Sequence, residues 1–439
     1  PETPVVGNGS AGYRTKAQPD QRLSSIAKAT CGATSHSEKG GRIRLMPRAA
    51  PAISTSSGID SAGRSSESYT KRRRNFSSEE AIALNSQGIK QASITWTETI
   101  GETEEKQNGA RFLSRLDDSE AALRTVISKG YNHWIITFSG GKDSTTTLVI
   151  ALETALSLSR QVERIDVVYS DTMIEIPVIQ QYALSFLKYL QEFDRLASLP
   201  LHCHVVYPAI EESFWVCLLG KGYPPPHQRF RWCTRRLKIE PVEEALKSFV
   251  RPDRTVILTG VRFGESRDRD ARLLRSCRRG GECGQGVWFQ YSSRLRAAYL
   301  APIVDWNDCD VWDFLQFYAP ALGYPTNHLE ESVYNGRETR FGCWMCTVVR
   351  QDRAMEEITS LPQWAHLRPL LDFRQRVKEL TGRLESRVLR PDGKPGRLTL
   401  ATRQRLLNEL LELQTSLGMT ILSSDQILAI QEYWKKEVT

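Results

Sequence analysis

A short apolar run that stops on paired glycines and opens into a helix constrains this chain more than any other feature. His133–Phe138 (HWIITF) is bounded by Ser139-Gly140-Gly141, and Ser144–Leu158 follows as a predicted helix. Between a strand and its helix, backbone N–H groups and the helix dipole form an anion site. Paired glycines let the main chain approach phosphate oxygens closely, and Lys142 adds a compact positive charge. The loop fails the Walker pattern GxxxxGK[ST], because it is too short and Asp143 stands where Ser or Thr should follow the lysine. A carboxylate at that place suits a Mg²⁺ ion bridging phosphates.

The same alternation continues downstream. Arg164–Tyr169, His202–Tyr207 and Thr255–Gly260 read as strands, with helices predicted over Ile176–Phe193 and Glu240–Phe249. Strands spaced by helices of this length mean βαβ units, hence an α/β fold with a mostly parallel, doubly wound sheet. Beyond Cys346 the pattern turns helical, over Asp352–Ile358, Trp364–Glu379, Ala401–Leu417 and Ser424–Glu437, and no internal repeat is visible. The organisation expected is a tail over 1–75, a nucleotide-binding domain over 76–346 and a helical C-terminal region over 347–439.

The charge balance separates the tail from the body. Residues 1–75 hold 13 Lys and Arg against 5 Asp and Glu, out of 59 and 51 in the whole chain, so the other residues hold 46 of each sign. The basic excess lies in a Ser-, Gly- and Pro-containing segment ending in Lys71-Arg72-Arg73-Arg74, which shows no periodicity and is expected to be disordered. Such a tail can hold a polyanion, serve as a transit segment, or be dispensable. A helix-capping pattern, Ser77-Ser78-Glu79-Glu80, marks where order is expected to begin. Apolar runs fall short of the roughly 18 residues that span a bilayer, no secretory signal is visible, and nine cysteines are too few for a disulfide scaffold. A soluble, cytoplasmic protein with no membrane partner is expected.

SGGKDS after the first strand resembles the pyrophosphate loop of the adenine-nucleotide α-hydrolase group, whose ATP-using members cleave between the α and β phosphates. Four further segments resemble the phosphoadenosine phosphosulfate (PAPS) reductase branch: Tyr169-Ser170-Asp171-Thr172 with Glu175, the stretch Trp232–Pro241 around Cys233, Gly260-Val261-Arg262 with Glu265-Ser266 and Arg269, and Pro302–Trp306 with Asp310-Val311-Trp312. The resemblance implies that Ser139, Gly140, Gly141, Lys142, Asp143, Ser144, Asp171, Thr172, Arg262, Glu265 and Arg269 bind the nucleotide. True reductases of this type carry a degraded phosphate loop and a catalytic cysteine near the C-terminus. Here the loop is intact and no cysteine follows Cys346, so ATP with Mg²⁺ is the expected ligand. The block Arg340–Val349 (RFGCWMCTVV), followed by Asp352 and Met355, resembles the DNA phosphorothioation sulfurtransferases of the DndC and SspD type.

Alone, a CxxC pair could be a zinc knuckle, a redox dithiol or half of an iron–sulfur site. The resemblance implies a [4Fe–4S] cluster, zinc being the alternative, and Cys277 and Cys283 from the loop SCRRGGECGQG would complete the set with Cys343 and Cys346. Cys233 competes for the cluster, but is expected to carry sulfur near the nucleotide, with Arg235, Arg236 and Lys238 lowering its pKa. Cys203 and Cys217 lie in apolar stretches and read as core. His202 and His204 alternate on a strand and could bind metal, but read as a satisfied surface pair.

Seven arginines stand between Arg262 and Arg279, a run that could grip DNA or form a self-paired face. Tyr223-Pro224-Pro225-Pro226-His227 is stiff and could act as a lid, while Trp306 and Trp312 read as core. Together these features predict an ATP pyrophosphatase and sulfurtransferase with Lys142, Asp143, Cys233 and Arg262 as its catalytic residues. Its expected partners are DNA, a PLP-dependent cysteine desulfurase and other phosphorothioation subunits. The competing readings are a PAPS or adenylylsulfate reductase, a tRNA thiolase, and a non-catalytic ATP-gated iron–sulfur subunit.

Overall fold

Near-continuous apolar runs, buried on both sides, build the centre of the molecule. The structure is a computed structural model and describes residues 103–264, 270–271, 288–334 and 341–438. The expected disordered tail over 1–75, the capping pattern at Ser77–Glu80 and most of the arginine run lie outside the described residues. Strands β1 (His133–Phe138), β2 (Arg164–Ser170), β3 (Leu201–Val206), β4 (Thr255–Leu258), β5 (Trp288–Ser292) and β6 (Ala297–Ala301) form one sheet in the order β3-β2-β1-β4-β6-β5. All neighbours are parallel except β5, which pairs antiparallel with β6.

Both faces are covered. Trp134, Ile136, Phe138, Val167 and Leu258 pack with residues of helices α1 (Thr103–Ser128), α2 (Lys142–Ser157) and α3 (Pro177–Glu192). On the other face Ile135, Val168, Ile257 and Ala297 meet Leu246, with Val242 and Phe249, of helix α4 (Glu240–Phe249). Helix α2 is buried continuously from Ser144 to Ala155, although it opens with three threonines. Thr145 and Thr146 donate their hydroxyls to the Gly141 and Lys142 carbonyls, one turn back, while the buried Thr147 hydroxyl has no protein partner among the described residues.

Strand order reverses between β1 and β4, because β2 and β3 extend to one side of β1 and β4, β6 and β5 to the other. In an open α/β sheet the crevice beyond the carboxyl ends of the strands at such a switch point is where ligands bind. The phosphate loop follows β1 and Gly260-Val261-Arg262 follows β4, so both segments open onto that crevice.

The chain then forms helix α5 (Asp308–Asp313), which begins on a capping box: Asn307 Oδ1 accepts the Asp310 N–H, and Asp310 accepts that of Asn307. Trp306 is core, as expected, with its ring edge on Phe112 and its indole N–H on Ser119. The C-terminal region comprises α6 (Arg353–Ser360), α7 (Arg368–Gly382), a hairpin of β7 (Arg387–Leu389) and β8 (Pro395–Leu398), α8 (Leu400–Leu417) and α9 (Ser424–Val438). It packs onto the same core. Arg403, fully buried on α8, donates to the Gly220 carbonyl, and Trp434 on α9 donates to that of Leu219. No helix among the described residues is long and apolar enough to cross a membrane.

Candidate nucleotide and thiol site

The glycines of the phosphate loop have steric reasons to be glycine. Gly140 holds φ at +72°, and a Cβ there would lie 2.9 Å from the Ala183 Cβ on α3. Gly260, just past β4, lies so close to the loop that a Cβ would sit 2.7 Å from the Asp143 carbonyl carbon and oxygen and 2.8 Å from the Ser144 nitrogen. Inside the loop the Ser139 N–H donates to Ser144 Oγ at 3.2 Å, and that hydroxyl also meets Ser139 Oγ and the Gly141 carbonyl. Gly141 caps α2 without a side-chain acceptor, which leaves the first turn of a long helix as an anion cradle.

Two cations and two carboxylates alternate at its mouth. Arg262, 3% exposed, donates from Nε to Asp143 Oδ1 at 2.5 Å, from Nη2 to Asp308 Oδ1 at 2.7 Å and from Nη1 to the Trp306 carbonyl at 3.0 Å. Lys142 Nζ reaches Asp308 Oδ1 at 2.5 Å and Asp143 Oδ1 at 3.2 Å. Burial works against the Asp308 charge, but Lys142 and Arg262 outweigh it and hold the carboxyl below its ordinary value. Burial likewise opposes the Arg262 charge, and Asp143 and Asp308 override it to raise its pKa. The sequence reading missed Asp308; its signal was the NDCD helix opening at the end of the segment beginning PIVDW. It also missed Tyr334, whose hydroxyl accepts the Lys142 N–H at 3.2 Å.

Beyond β2, Asp171 is almost fully buried and accepts from the Met173 N–H at 2.7 Å and from Gln180 Nε2 at 2.6 Å. Burial raises its pKa against those two hydrogen bonds. Thr172 Oγ1 donates to Glu175 Oε1 at 2.9 Å and lies 3.8 Å from Cys343 Sγ. Glu175 pairs as an antiparallel bridge with Cys343, and Lys238 Nζ meets Glu175 Oε1 at 3.1 Å. The DTxxE segment and the CWMC turn are therefore neighbours, tied again by the Trp344 N–H on the Ile174 carbonyl. Burial, reinforced by Glu175, pushes the Cys343 thiol up to about 12, against Lys238 and Thr172.

The turn is also gripped from the C-terminal region. Arg374 on α7 is 2% exposed and donates to the Cys346 carbonyl at 2.8 Å and the Val349 carbonyl at 2.9 Å. Trp344 sits within the ring cluster of Trp215 and Phe373.

Several expectations change. The Cys233 thiol is raised, chiefly by burial, where basic neighbours were expected to lower it. Those neighbours are engaged elsewhere: Arg235 with Glu240, Arg236 with Glu212, Lys238 with Glu175. Burial raises the Cys203 and Cys217 thiols to about 12 and about 11; Cys217 is core, as expected, while Cys203 is half-buried against it. His204 is a satisfied residue, bonded to Asp166. Glu265, Arg269, Cys277 and Cys283 lie outside the described residues. Among the described residues no group of three or more His, Cys, Asp or Glu is arranged to hold a metal. Cys343 and Cys346 share one turn and would supply two ligands of a cluster. The hard oxygens of Asp143 and Asp308, set beside an anion cradle, do fit a Mg²⁺ ion arriving with a nucleotide.

Residues 133–349, from β1 through the CWMC turn, match the phosphoadenosine phosphosulfate reductase domain family. An uncharacterized protein of Methanocaldococcus jannaschii, MJ0973, is 26% identical over 239 residues, 53% of this chain and 47% of that protein. A second from the same organism, MJ0066, is 27% identical over 215 residues, 48% of this chain and 35% of that protein. The chain thus spans less than half the length of these curated relatives. The phosphate complex of the PAPS reductase of Candida auris aligns over 61% of this chain and 99% of that chain, with a TM-score of 0.34 and 16% identity.

Proposed function

We propose that this PAPS reductase-family domain works as an ATP-dependent sulfurtransferase of DNA phosphorothioate modification. The observation that carries the nucleotide half of the reading is the convergence of Lys142 and Arg262 on Asp143 and Asp308 at the opening of α2. A cradle with two fixed cations suits a ligand with a pyrophosphate to hold. Fixed charges aimed at a phosphoryl group supply stabilisation without reorganisation during reaction. Arg262 is locked by three partners and would meet charge developing on the leaving pyrophosphate, with Lys142, held at Asp308, beside it. Mg²⁺, held by Asp143 and Asp308, would supply further neutralisation of phosphate charge.

In the proposed chemistry a DNA phosphate oxygen attacks the α-phosphorus and the bond to the β-phosphate oxygen breaks, releasing pyrophosphate. The outer sulfur of a persulfide on Cys343 then attacks the activated DNA phosphorus, and AMP departs with the displaced oxygen. The Cys346 thiol, on the same turn, would cleave the remaining S–S bond, leaving the sulfur on the DNA and a Cys343–Cys346 disulfide to be reduced by an external thiol. Cys343 is the thiol to carry that sulfur, because it lies beside Thr172 and Glu175. The sulfur would come from a PLP-dependent cysteine desulfurase, and other phosphorothioation subunits would present the DNA, all in the cytoplasm. The DndC-like block around Cys343 and Cys346 supports this choice of acceptor.

The family match supports a second reading, reduction of a sulfonucleotide. Product analysis separates the two. Purified protein with Mg²⁺ and ATP, with and without DNA, should yield AMP and pyrophosphate, with more in the presence of DNA. ADP as product, or reduction of PAPS without ATP cleavage, would overturn the sulfurtransferase reading.

A further inference from the structure

A second anion-seeking surface lies where the family-matched residues meet the C-terminal hairpin. The β7–β8 hairpin and the segment Tyr223–Phe230 face each other across a groove of about 690 Å³. That volume is in the range that takes an organic ligand and exceeds the needs of a single ion. Its lining contains Lys221, Arg387, Arg390 and Arg397 and no carboxylate. Lys221 and Arg397 are paired outward, with Glu212 and Glu437. Arg387 is fixed instead by donating to the Gly396 and Thr381 carbonyls, which leaves its charge unopposed. Among the described residues no ion pair involves Arg387 or Arg390, nor Arg229 or Arg231 on the adjoining exposed turn. Burial, and then the neighbouring Arg390, lower the Arg387 pKa, the mark of cations crowded without an anion.

The groove is also aromatic and apolar. Phe230 is 42% exposed and Leu389 59% exposed, and Tyr223 lines the wall beside them. A cationic track with exposed flat and apolar side chains is what a nucleic-acid strand with unpaired bases requires, since bases stack while phosphates meet the cations. A duplex, with its bases turned inward, would leave the apolar half unused. The groove also leads toward the thiols. Its proline wall is tied to the segment after the CWMC turn, with Thr347 Oγ1 donating to the Pro226 carbonyl at 2.7 Å, and Trp232, next to Cys233, donating to the Pro224 carbonyl at 2.9 Å.

We propose that this groove binds single-stranded DNA and guides its backbone toward the Cys343 turn. The preference for DNA rests on the modification reading above; the fit to an unpaired strand rests on the groove itself. The test is fluorescence anisotropy of the full chain with a labelled oligothymidylate, competed by oligouridylate, duplex DNA and polyglutamate. Arg390→Gln and Phe230→Ala should each weaken oligothymidylate binding on the order of tenfold, and Arg390→Gln should lower the salt slope by about 0.7, the share of one phosphate contact on a single strand. Melting temperature and basal ATP cleavage, measured alongside, should stay at wild-type values. Unchanged affinity in both variants would overturn the groove, as would tighter binding of duplex or equal competition by polyglutamate. Oligouridylate competing better than oligothymidylate would overturn the DNA assignment. Strand binding lost in the variants of a protein that cleaves no ATP would sink the modification reading and leave the groove standing.

Discussion

At the amino ends of β1 and β2, Asp166 is closed on every side. His133 and Arg164 bond one oxygen at 2.6 and 2.7 Å, Arg164 and His204 bond the other at 2.8 and 2.7 Å, and the far nitrogen of His133 meets Thr255 Oγ1. At the opposite edge of the sheet, beyond the carboxyl ends of β1 and β4, the cluster of Lys142, Asp143, Arg262 and Asp308 stays open, with the Asp308 side chain 47% exposed. Both are networks of charge around carboxylates. The first spends all its bonding capacity inside the protein, while the second holds its cations beside a helix start whose N-cap glycine offers no side-chain acceptor, next to a half-exposed carboxylate a ligand can reach. Satisfaction, more than charge, separates a structural network from a functional one.

Replacing one member at each end should break the comparison cleanly. Lys142→Ala should cut ATP cleavage on the order of a thousandfold, as loss of a fixed phosphoryl-stabilising charge does, and leave thermal melting close to wild type. Pyrophosphate release and calorimetry on the same preparation check both halves; a melting loss as large as the activity loss would erase the distinction.

Asp166→Ala should do the reverse. Removing one partner of a buried charge network costs about 3 kcal/mol or more, and turnover per folded molecule should persist. Burial opposes the Asp166 charge, but bonds from His133, Arg164 and His204 prevail and hold its pKa well below the carboxylate range. Its contribution is therefore present above the unfolded value of about 3.9 and is lost as pH falls below it. Wild type should lose stability across that window faster than the variant, as denaturant melts at a series of pH values would register.

The smallest effect sharpens the picture at the thiol. With its pKa raised to about 12, Cys343 contributes stability that is full below the unfolded thiol value of about 8.5 and is lost as pH climbs toward 12. Iodoacetamide should label Cys343 slowly at pH 8, several-fold slower than a free thiol, as peptide mass spectrometry would show. Arg374→Met should speed that labelling by releasing the turn's carbonyls; an unchanged rate would remove Arg374 from the account.

The legible part of the fold was the part written in local pattern. β1 and α4 fall on the predicted residues, and α2 starts two residues before the predicted Ser144, at Lys142. The β5–β6 hairpin was not foreseen because β6 reads AAYLA, an alanine-rich run with little strand character, and its turn places Arg296 at φ +50° where glycine or asparagine is the usual signal. Helix α1 was missed as well. The loop residues of the site were visible because glycines, lysine and aspartate stand together in sequence. Asp308 and Arg374 were not, since each acts across a long separation: Asp308 on Lys142, Arg374 on a turn made by residues before it. The paired state of the basic residues after Cys233 depends on Glu175 and Glu212, brought near only by folding.

The grip of α7 on the CWMC turn bears on how this protein can be divided. The family match ends at Val349, yet Trp344 shares its ring cluster with Phe373, and the Cys346 and Val349 carbonyls take their donors from Arg374. A cut at that boundary would expose a tryptophan face and strip two carbonyls of their donors in one stroke. Homology and foldability thus draw different borders here. A fragment or chimera meant to preserve the thiol turn must carry α7 with it.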